Sequence, residues 1–483
     1  MELKEPPVAG KTHSGWFALL LLALLAVLGV LFHDSFRSGH ILFSKDTPLG
    51  YLMSQCHRLP DRLVGCWQDL NLIGYTEGYT MGGISFALGT LLKPLLFSKF
   101  YAPLGILILG IGAWLFFRQM GLAPVACLLG SLAAALNSGF FSVACWGVVQ
   151  HTLAVGMTFM ALAALADNSS RQRWLRVVLA GFAVGMGIAE GMDLGGLFSL
   201  LIAAFVLYQA LIAEGPRAND VVAGVTRLTL AAVCALLLAA HPISVMIANN
   251  VKGVAGTSQD ARSKAERWDF ASQFSLPKSE VLSLIVPGLF GYRADSPAGG
   301  NYWGAVGRSG VWDKYLADGG QGPPPEGWIR YSGGGSYEGV LVVVLAVWAG
   351  AQSLRRNNPV FSFRQRRWLW FWMGVGVVSL PVALGKYAPF YKLLYALPYV
   401  STVRNPVKLL HLVSFALVVL FAYGIDGVWR AYLRPGGSDA EQKSRADIKF
   451  SDSVDVLVRK YVENKVAGDL DKERLITLGR KYL

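Results

Sequence analysis

Long runs with little or no charge dominate this chain and restrict what it can fold into. They cover residues 16–32, 102–117, 123–141, 148–166, 174–189, 195–212, 226–248, 339–353, 368–384 and 407–429. Crossing the hydrocarbon core takes ~20 apolar helical residues, with ~17 as a lower bound. Within lipid the backbone must satisfy its own hydrogen bonds, which a helix does and a loop does not. The runs therefore predict an all-α polytopic integral membrane protein with about ten transmembrane helices. Composition agrees: 53% of the 483 residues are hydrophobic and 16% charged, against ~25% charged in soluble domains.

The net charge of +13 sits between the apolar runs and forms no single basic surface, which argues against nucleic-acid binding. Basic loops beside spans anchor to an anionic cytoplasmic leaflet. With the N-terminus (residues 1–15) cytoplasmic, the inner loops hold Arg118; Arg171, Arg173 and Arg176; Arg217 and Arg227; and Arg355, Arg356, Arg364, Arg366 and Arg367. The short outer segments 139–147 and 190–194 hold no Lys or Arg, and only outer segment 385–406 breaks the pattern, with Lys386, Lys392 and Arg404. Both termini are then cytoplasmic. Residues 16–429 make the membrane domain, with large extracytoplasmic loops at 33–101, 249–337 and 385–406, and residues 430–483 make a charged cytoplasmic tail. The first run lacks a small-residue cleavage site and reads as a retained helix.

Within the outer loops, Phe86–Phe100 and Tyr387–Val400 are apolar but interrupted by Lys93-Pro94 and Pro389. They fit interfacial helices or loops packed on the bundle. Cys56 and Cys66 share one loop and would pair in an oxidising compartment, whereas Cys127, Cys145 and Cys234 lie in or beside apolar runs. Walker, Gly-x-Gly-x-x-Gly, His-Glu-x-x-His and Cys-x-x-Cys motifs are missing from the sequence, which counts against ATP-driven transport and metalloprotease chemistry.

Ionisable residues at membrane depth are costly and mark candidate functional positions. Under the derived topology Asp46, Asp69, His151, Glu190, Asp193, His241, Arg404, Lys408 and His411 all approach the outer face. Six have a plainer explanation: Asp46 as a cap before Pro48, Glu190 and Asp193 as a solvated turn, His241 bonding a carbonyl freed by Pro242, Arg404 and Lys408 as interface anchors. Together they suit a carboxylate base beside cations that hold a phosphate.

Phe43-x-x-Asp46, Trp67 to Gly74, Gly89 to Pro94, Pro287 to Tyr292, Tyr302-Trp303-Gly304, Tyr337-Glu338-Gly339, Ser401 to Lys408 and Gly424-Ile425-Asp426-Gly427 together resemble the bacterial YfhO-type membrane proteins. The resemblance spans residues 15–430, and that family is grouped with the GT-C membrane glycosyltransferases. It implies a GT-C-like fold in the bacterial inner membrane. It further implies a polyprenyl-phosphate sugar as donor, an extracytoplasmic glycan or lipid of the cell envelope as acceptor, and an acidic residue of the first outer loop as catalytic base. Asp46 matches that position best, with Asp69 the other candidate; Arg404 and Lys408 would bind the donor phosphate. His151, Glu190, Asp193 and His241 remain further candidates, and assistance by a divalent metal stays open. Members are longer than this chain, which ends in a charged tail.

Two other functions compete. A transporter or flippase for a lipid-linked or small solute needs polar residues at the midplane of its spans, where His241 and Ser244 are exceptions in mostly dry runs. A non-catalytic scaffold of an envelope complex fits the charged tail. The aromatics Trp268, Tyr292, Tyr302, Trp303, Trp312, Tyr315, Trp328 and Tyr331 of the second outer loop are suited to stacking on sugar rings or to forming that loop's own core.

Overall fold

A computed structural model describes residues 10–42, 44, 46–57, 66–68, 75–77, 83–167, 171–213, 218–247, 264–291, 301–325, 336–355, 360–397 and 404–433. Its helices are α1 (Gly10–Leu31), α2 (His33–Phe36), α3 (Leu49–His57), α4 (Ile84–Gln119), α5 (Pro124–Ala135), α6 (Ser138–Cys145), α7 (Val149–Leu165) and α8 (Arg173–Glu190). They continue as α9 (Met192–Tyr208), α10 (Ala218–Met246), α11 (Lys264–Ser272), α12 (Gly310–Ala317), α13 (Val340–Leu354), α14 (Phe363–Ala383), α15 (Pro389–Tyr395) and α16 (Leu410–Val428). One antiparallel pair, β1 (Cys66–Gln68) with β2 (Tyr75–Glu77), sets Cys66 opposite Glu77. The chain divides into two compact units, Met1–Val428 and Trp429–Leu483.

Every apolar run falls on a helix. Four stretches are long and apolar enough to cross a membrane: Ile84–Gln119, Met192–Ile212, Val221–Ser244 and Pro406–Leu433. The pair α5 and α6, bent by 43°, makes a fifth if it is one span. The segments Gly15–Leu31, Val149–Leu165 and Val340–Leu354 are apolar but shorter than that.

Local sequence sets the breaks. Lys93 precedes Pro94, whose ring disfavours α geometry in the residue before it; Lys93 takes φ 59° and ψ 167° and kinks α4. The apolar segment 86–100 is helical on both sides of that kink, with Leu91 and Leu95 exposed and Phe97 buried. Asn137 separates α5 from α6 and caps α6, its Oδ1 accepting from the N–H groups of Gly139 (3.0 Å) and Phe140 (3.3 Å). Ser362 and Gln365 form a reciprocal capping box at the start of α14.

Small residues let the helices approach. A Cβ on Gly112 of α4 would stand 2.7 Å from the carbonyl oxygen of Gly156 on α7, and one on Gly185 of α8 2.5 Å from that of Ala235 on α10. Such glycine seams are how helices pack where lipid removes most of the hydrophobic driving force. The centre is filled by aromatics: Phe159 stacks on Phe415 at 4.0 Å, and Trp372 packs against Phe116 at 6.0 Å and Phe415 at 5.6 Å. Outward faces are apolar too, with Leu22, Leu237, Val377 and Val378 all exposed, as a lipid-facing surface requires.

At one end of the bundle, basic side chains close helix C-termini. Arg227 donates to the carbonyl of Leu165 (2.8 Å), ending α7, and Arg366 to that of Ser353 (2.6 Å), near the end of α13. A cation on the orphan carbonyls at the negative end of the helix dipole is favourable. The candidate site lies at the other end.

Candidate functional site

The opposite end is where α7 and α9 begin and α8 ends, and there the surface is hollowed into an open, shallow cavity of about 320 Å³. Its wall is Asp46, Thr47, Gly147, Val148, Gln150, His151, Glu190, Gly191 and Met192. Three of the residues singled out from sequence, Asp46, His151 and Glu190, therefore share one cavity, and Asp193 stands one turn inside α9 beside it.

The segment carrying Asp46 is laid against the turn between α6 and α7 by backbone bonds. The Asp46 N–H donates to the Trp146 carbonyl (3.1 Å), Thr47 Oγ1 to the Gly147 carbonyl (3.3 Å) and Ser44 Oγ to the Cys145 carbonyl (3.5 Å). Gly147 holds φ +99°, and a Cβ there would stand 3.0 Å from the Thr47 nitrogen. Glycine is the residue that adopts this geometry without penalty and leaves room for the Asp46 strand. Asp46 itself is exposed to the cavity mouth.

Glu190 ends α8 and turns its carboxylate to the start of α4. It accepts from the Ser85 N–H (3.0 Å) and from Ser85 Oγ, which also contacts the Tyr101 hydroxyl. It thereby satisfies an orphan donor at that N-terminus, a structural task in addition to lining the cavity.

Asp193 is the node of the site. Its Oδ1 lies 3.2 Å from His151 Nε2 and its Oδ2 pairs with Lys408 Nζ. His411, one turn on from Lys408, donates from Nδ1 to the Lys408 carbonyl (3.1 Å), and its ring meets that of His151 edge-on at 6.4 Å. Because Nδ1 spends its proton there, Nε2 of His411 is an acceptor; it is buried with no protein donor among the described residues. Gln150 Oε1, on the cavity wall, is a second buried acceptor without one.

Other expected positions separate from this group. Arg404 is exposed, its guanidinium 5.3 Å from the Phe270 ring centroid, and is not part of the cavity wall. His241 is exposed on α10 beside the buried Pro242, and its carbonyl accepts from Ser244 Oγ. Asp69 and the side chains of Cys56 and Cys66 lie outside the described residues. Cys127, Cys145 and Cys234 are free thiols, the first and third buried. Among the described residues no group of three or more His, Cys, Asp or Glu is placed to hold a metal ion.

Most described aromatics of segment 249–337 pack on their own surroundings. Tyr302 is buried and donates to Glu280 Oε2 (2.5 Å), while Glu280 Oε1 accepts from the Ala305 N–H (2.7 Å). Trp268 meets Tyr391 and Tyr395 of α15 at 5.8 and 5.1 Å. Burial pushes the Tyr391 phenol above its ordinary range. Tyr292, Trp328 and Tyr331 lie outside the described residues.

A second polar group is buried where the cap of α6, the start of α13 and α16 meet. Glu338, buried just before α13, accepts from Asn137 Nδ2 (2.6 Å), and its Oε1 lies 2.6 Å from Ser414 Oγ. Ser414 Oγ is also 2.9 Å from the Leu410 carbonyl. Burial raises the Glu338 carboxyl above the ordinary range, more than the bonds from Ser414 and Asn137 lower it.

Fold and site together define a helical, membrane-compatible protein with a polar cavity at one end of an apolar bundle. Comparison with family models, with curated proteins and with solved structures gives no match. Thr47, Gly147, Val148 and Gln150 on the wall, and Ser85 beside Glu190, are uncharged residues that carry no signal in the sequence until the fold brings them to Asp46 and Glu190.

Proposed function

We propose that this chain is a multi-pass protein of the bacterial cytoplasmic membrane, with about ten spans, a GT-C-like fold and both termini cytoplasmic. We assign it the transfer of a sugar from a polyprenyl phosphate to a hydroxyl of an envelope glycan or lipid on the outer face. The observation that carries this reading is the meeting of Asp46, His151 and Glu190 around one cavity, at the end opposite the helix-capping arginines. That is where the YfhO-like residue pattern puts its catalytic aspartate.

In this reaction a base removes the acceptor proton as the sugar–phosphate bond breaks, and donors steady the departing phosphate. Asp46, on the wall and at the mouth, takes the role of base. The aromatic plug of Phe116, Phe159, Trp372 and Phe415 supports chemistry at one face over passage through the bundle.

The test is transfer of labelled sugar from polyprenyl phosphate by the purified full chain, comparing wild type with Asp46→Ala. The reading expects turnover in the wild type and a loss of at least ~100-fold in the variant. Full activity in Asp46→Ala removes Asp46 as base. No transfer with any lipid-linked sugar favours the scaffold function.

A further inference from the structure

The cations expected to hold the donor phosphate are not on the cavity wall. Lys408 is committed to Asp193, and Arg404 lies over Phe270. The wall does carry one side chain able to become a cation, His151. Its Nε2 lies 3.2 Å from Asp193 Oδ1, and among the described residues no hydrogen bond engages its Nδ1. Asp193 is itself fixed by Lys408, so one imidazole nitrogen is held while the ring lines the cavity. This is the carboxylate–imidazole arrangement that orients a proton-transfer group.

We propose that His151, oriented by Asp193, is the proton donor to the departing phosphate of the sugar donor, an assignment that rests on the transfer reading above. As imidazolium it keeps Nε2–H on Asp193 and offers Nδ1–H to the cavity. The acceptor O–H bond breaks, its proton goes to the Asp46 carboxylate, and the oxygen pair forms the new bond to the anomeric carbon. The bond from that carbon to the phosphate oxygen breaks, its electron pair stays on the oxygen, and that oxygen takes the Nδ1 proton. The Asp46 proton then returns through solvent to the imidazole, and the cycle closes. The charged or titratable groups facing His151 are Asp193 from α9, Lys408 from the turn before α16, His411 from the start of α16, Glu190 from α8 and Asp46 from the segment before α3.

Two measurements on the full chain in micelles test this. Carbethoxylation by diethyl pyrocarbonate, mapped by peptide mass spectrometry, reads the accessibility of His151 with His40, exposed outside the apolar helices, as internal control. Polyprenyl phosphate should slow modification of His151 at least tenfold and leave His40 unchanged, while polyprenol lacking the phosphate should slow neither. No protection by polyprenyl phosphate, or equal protection by polyprenol, overturns the assignment, whether or not His151→Gln folds. The second measurement is the pH profile of transfer. Wild type should lose rate as pH rises and the imidazolium gives up its proton, and His151→Gln should be slow with that alkaline fall gone. A fall that persists in His151→Gln overturns the proton-donor role. Protection by polyprenyl phosphate in a chain that transfers no sugar overturns the transfer reading and leaves only the phosphate contact.

Discussion

Nε2 of His151 and Oδ1 of Asp193 stand 3.2 Å apart, joining the first turn of α7 to the first turn of α9 beside the cavity. The second oxygen of Asp193 holds Lys408, so three elements distant in sequence share one carboxylate. This node gives the cavity end of the bundle its electrostatic order.

Asp193→Asn tests the node. The side chain is 38% exposed, so the pairs contribute only on the order of 1 kcal/mol to stability. Function should suffer more, because the amide offers Nε2 of His151 one acceptor in place of two and leaves Lys408 uncompensated. The expected result is a fall of roughly tenfold or more in kcat for sugar transfer with KM nearly unchanged. Equal loss in folding and transfer would mark Asp193 as purely structural.

Gly147→Ala should take the cavity wall apart. At φ +99° a Cβ is strained, by about 1–3 kcal/mol, and it would press on Thr47 and Ser44. The Asp46 segment should lift from the α6–α7 turn, abolishing transfer while the helical circular dichroism stays as in wild type. Retained transfer would show that the close approach of Thr47 to Gly147 is dispensable.

The buried Glu338 makes stability depend on pH. Its folded value is raised above the unfolded one, so the neutral carboxyl's contribution is complete below the unfolded value and is lost as pH rises through the raised folded value. Thermal unfolding in micelles should show wild type less stable at pH 8 than at pH 5, with Glu338→Gln flattening the difference. Glu338→Ala should cost about 1–3 kcal/mol at both, since Asn137 and Ser414 lose their partner. An unchanged pH dependence in Glu338→Gln would assign it to other groups.

The seam between α8 and α10 depends on glycine. Gly185→Ala drives a methyl to within 2.5 Å of the Ala235 carbonyl oxygen, and the helices must part at a cost of about 1–3 kcal/mol. A lower unfolding temperature of the purified protein is the expected reading; no change would mean that the seam is looser than the packing described.

Helix positions were legible in the sequence because charge-free runs leave the backbone little alternative in lipid. Span status was less so: the runs at 16–32, 148–166 and 339–353 became helices whose apolar stretches fall short of a crossing on length. The site was half legible. His151, Glu190 and Asp193 stand out as ionisable residues at the ends of apolar runs, and the fold does bring them together. Arg404 and Lys408 looked alike in sequence, four residues apart, yet the left-handed Asn405 (φ 66°) and Pro406 between them send one toward Phe270 and the other to Asp193. The cap that Glu190 supplies to α4 depends on a contact with Ser85, 105 positions earlier, which no local pattern announces. The strands β1 and β2, three residues each, were too short for an alternation to be read.

The most direct test of the central claim is sugar transfer from a labelled polyprenyl-phosphate donor by the purified full chain, assayed beside Asp46→Ala. Transfer by the wild type that falls at least ~100-fold in the variant is the predicted result. Transfer at the wild-type rate by Asp46→Ala, or none by the wild type across lipid-linked sugars, contradicts it.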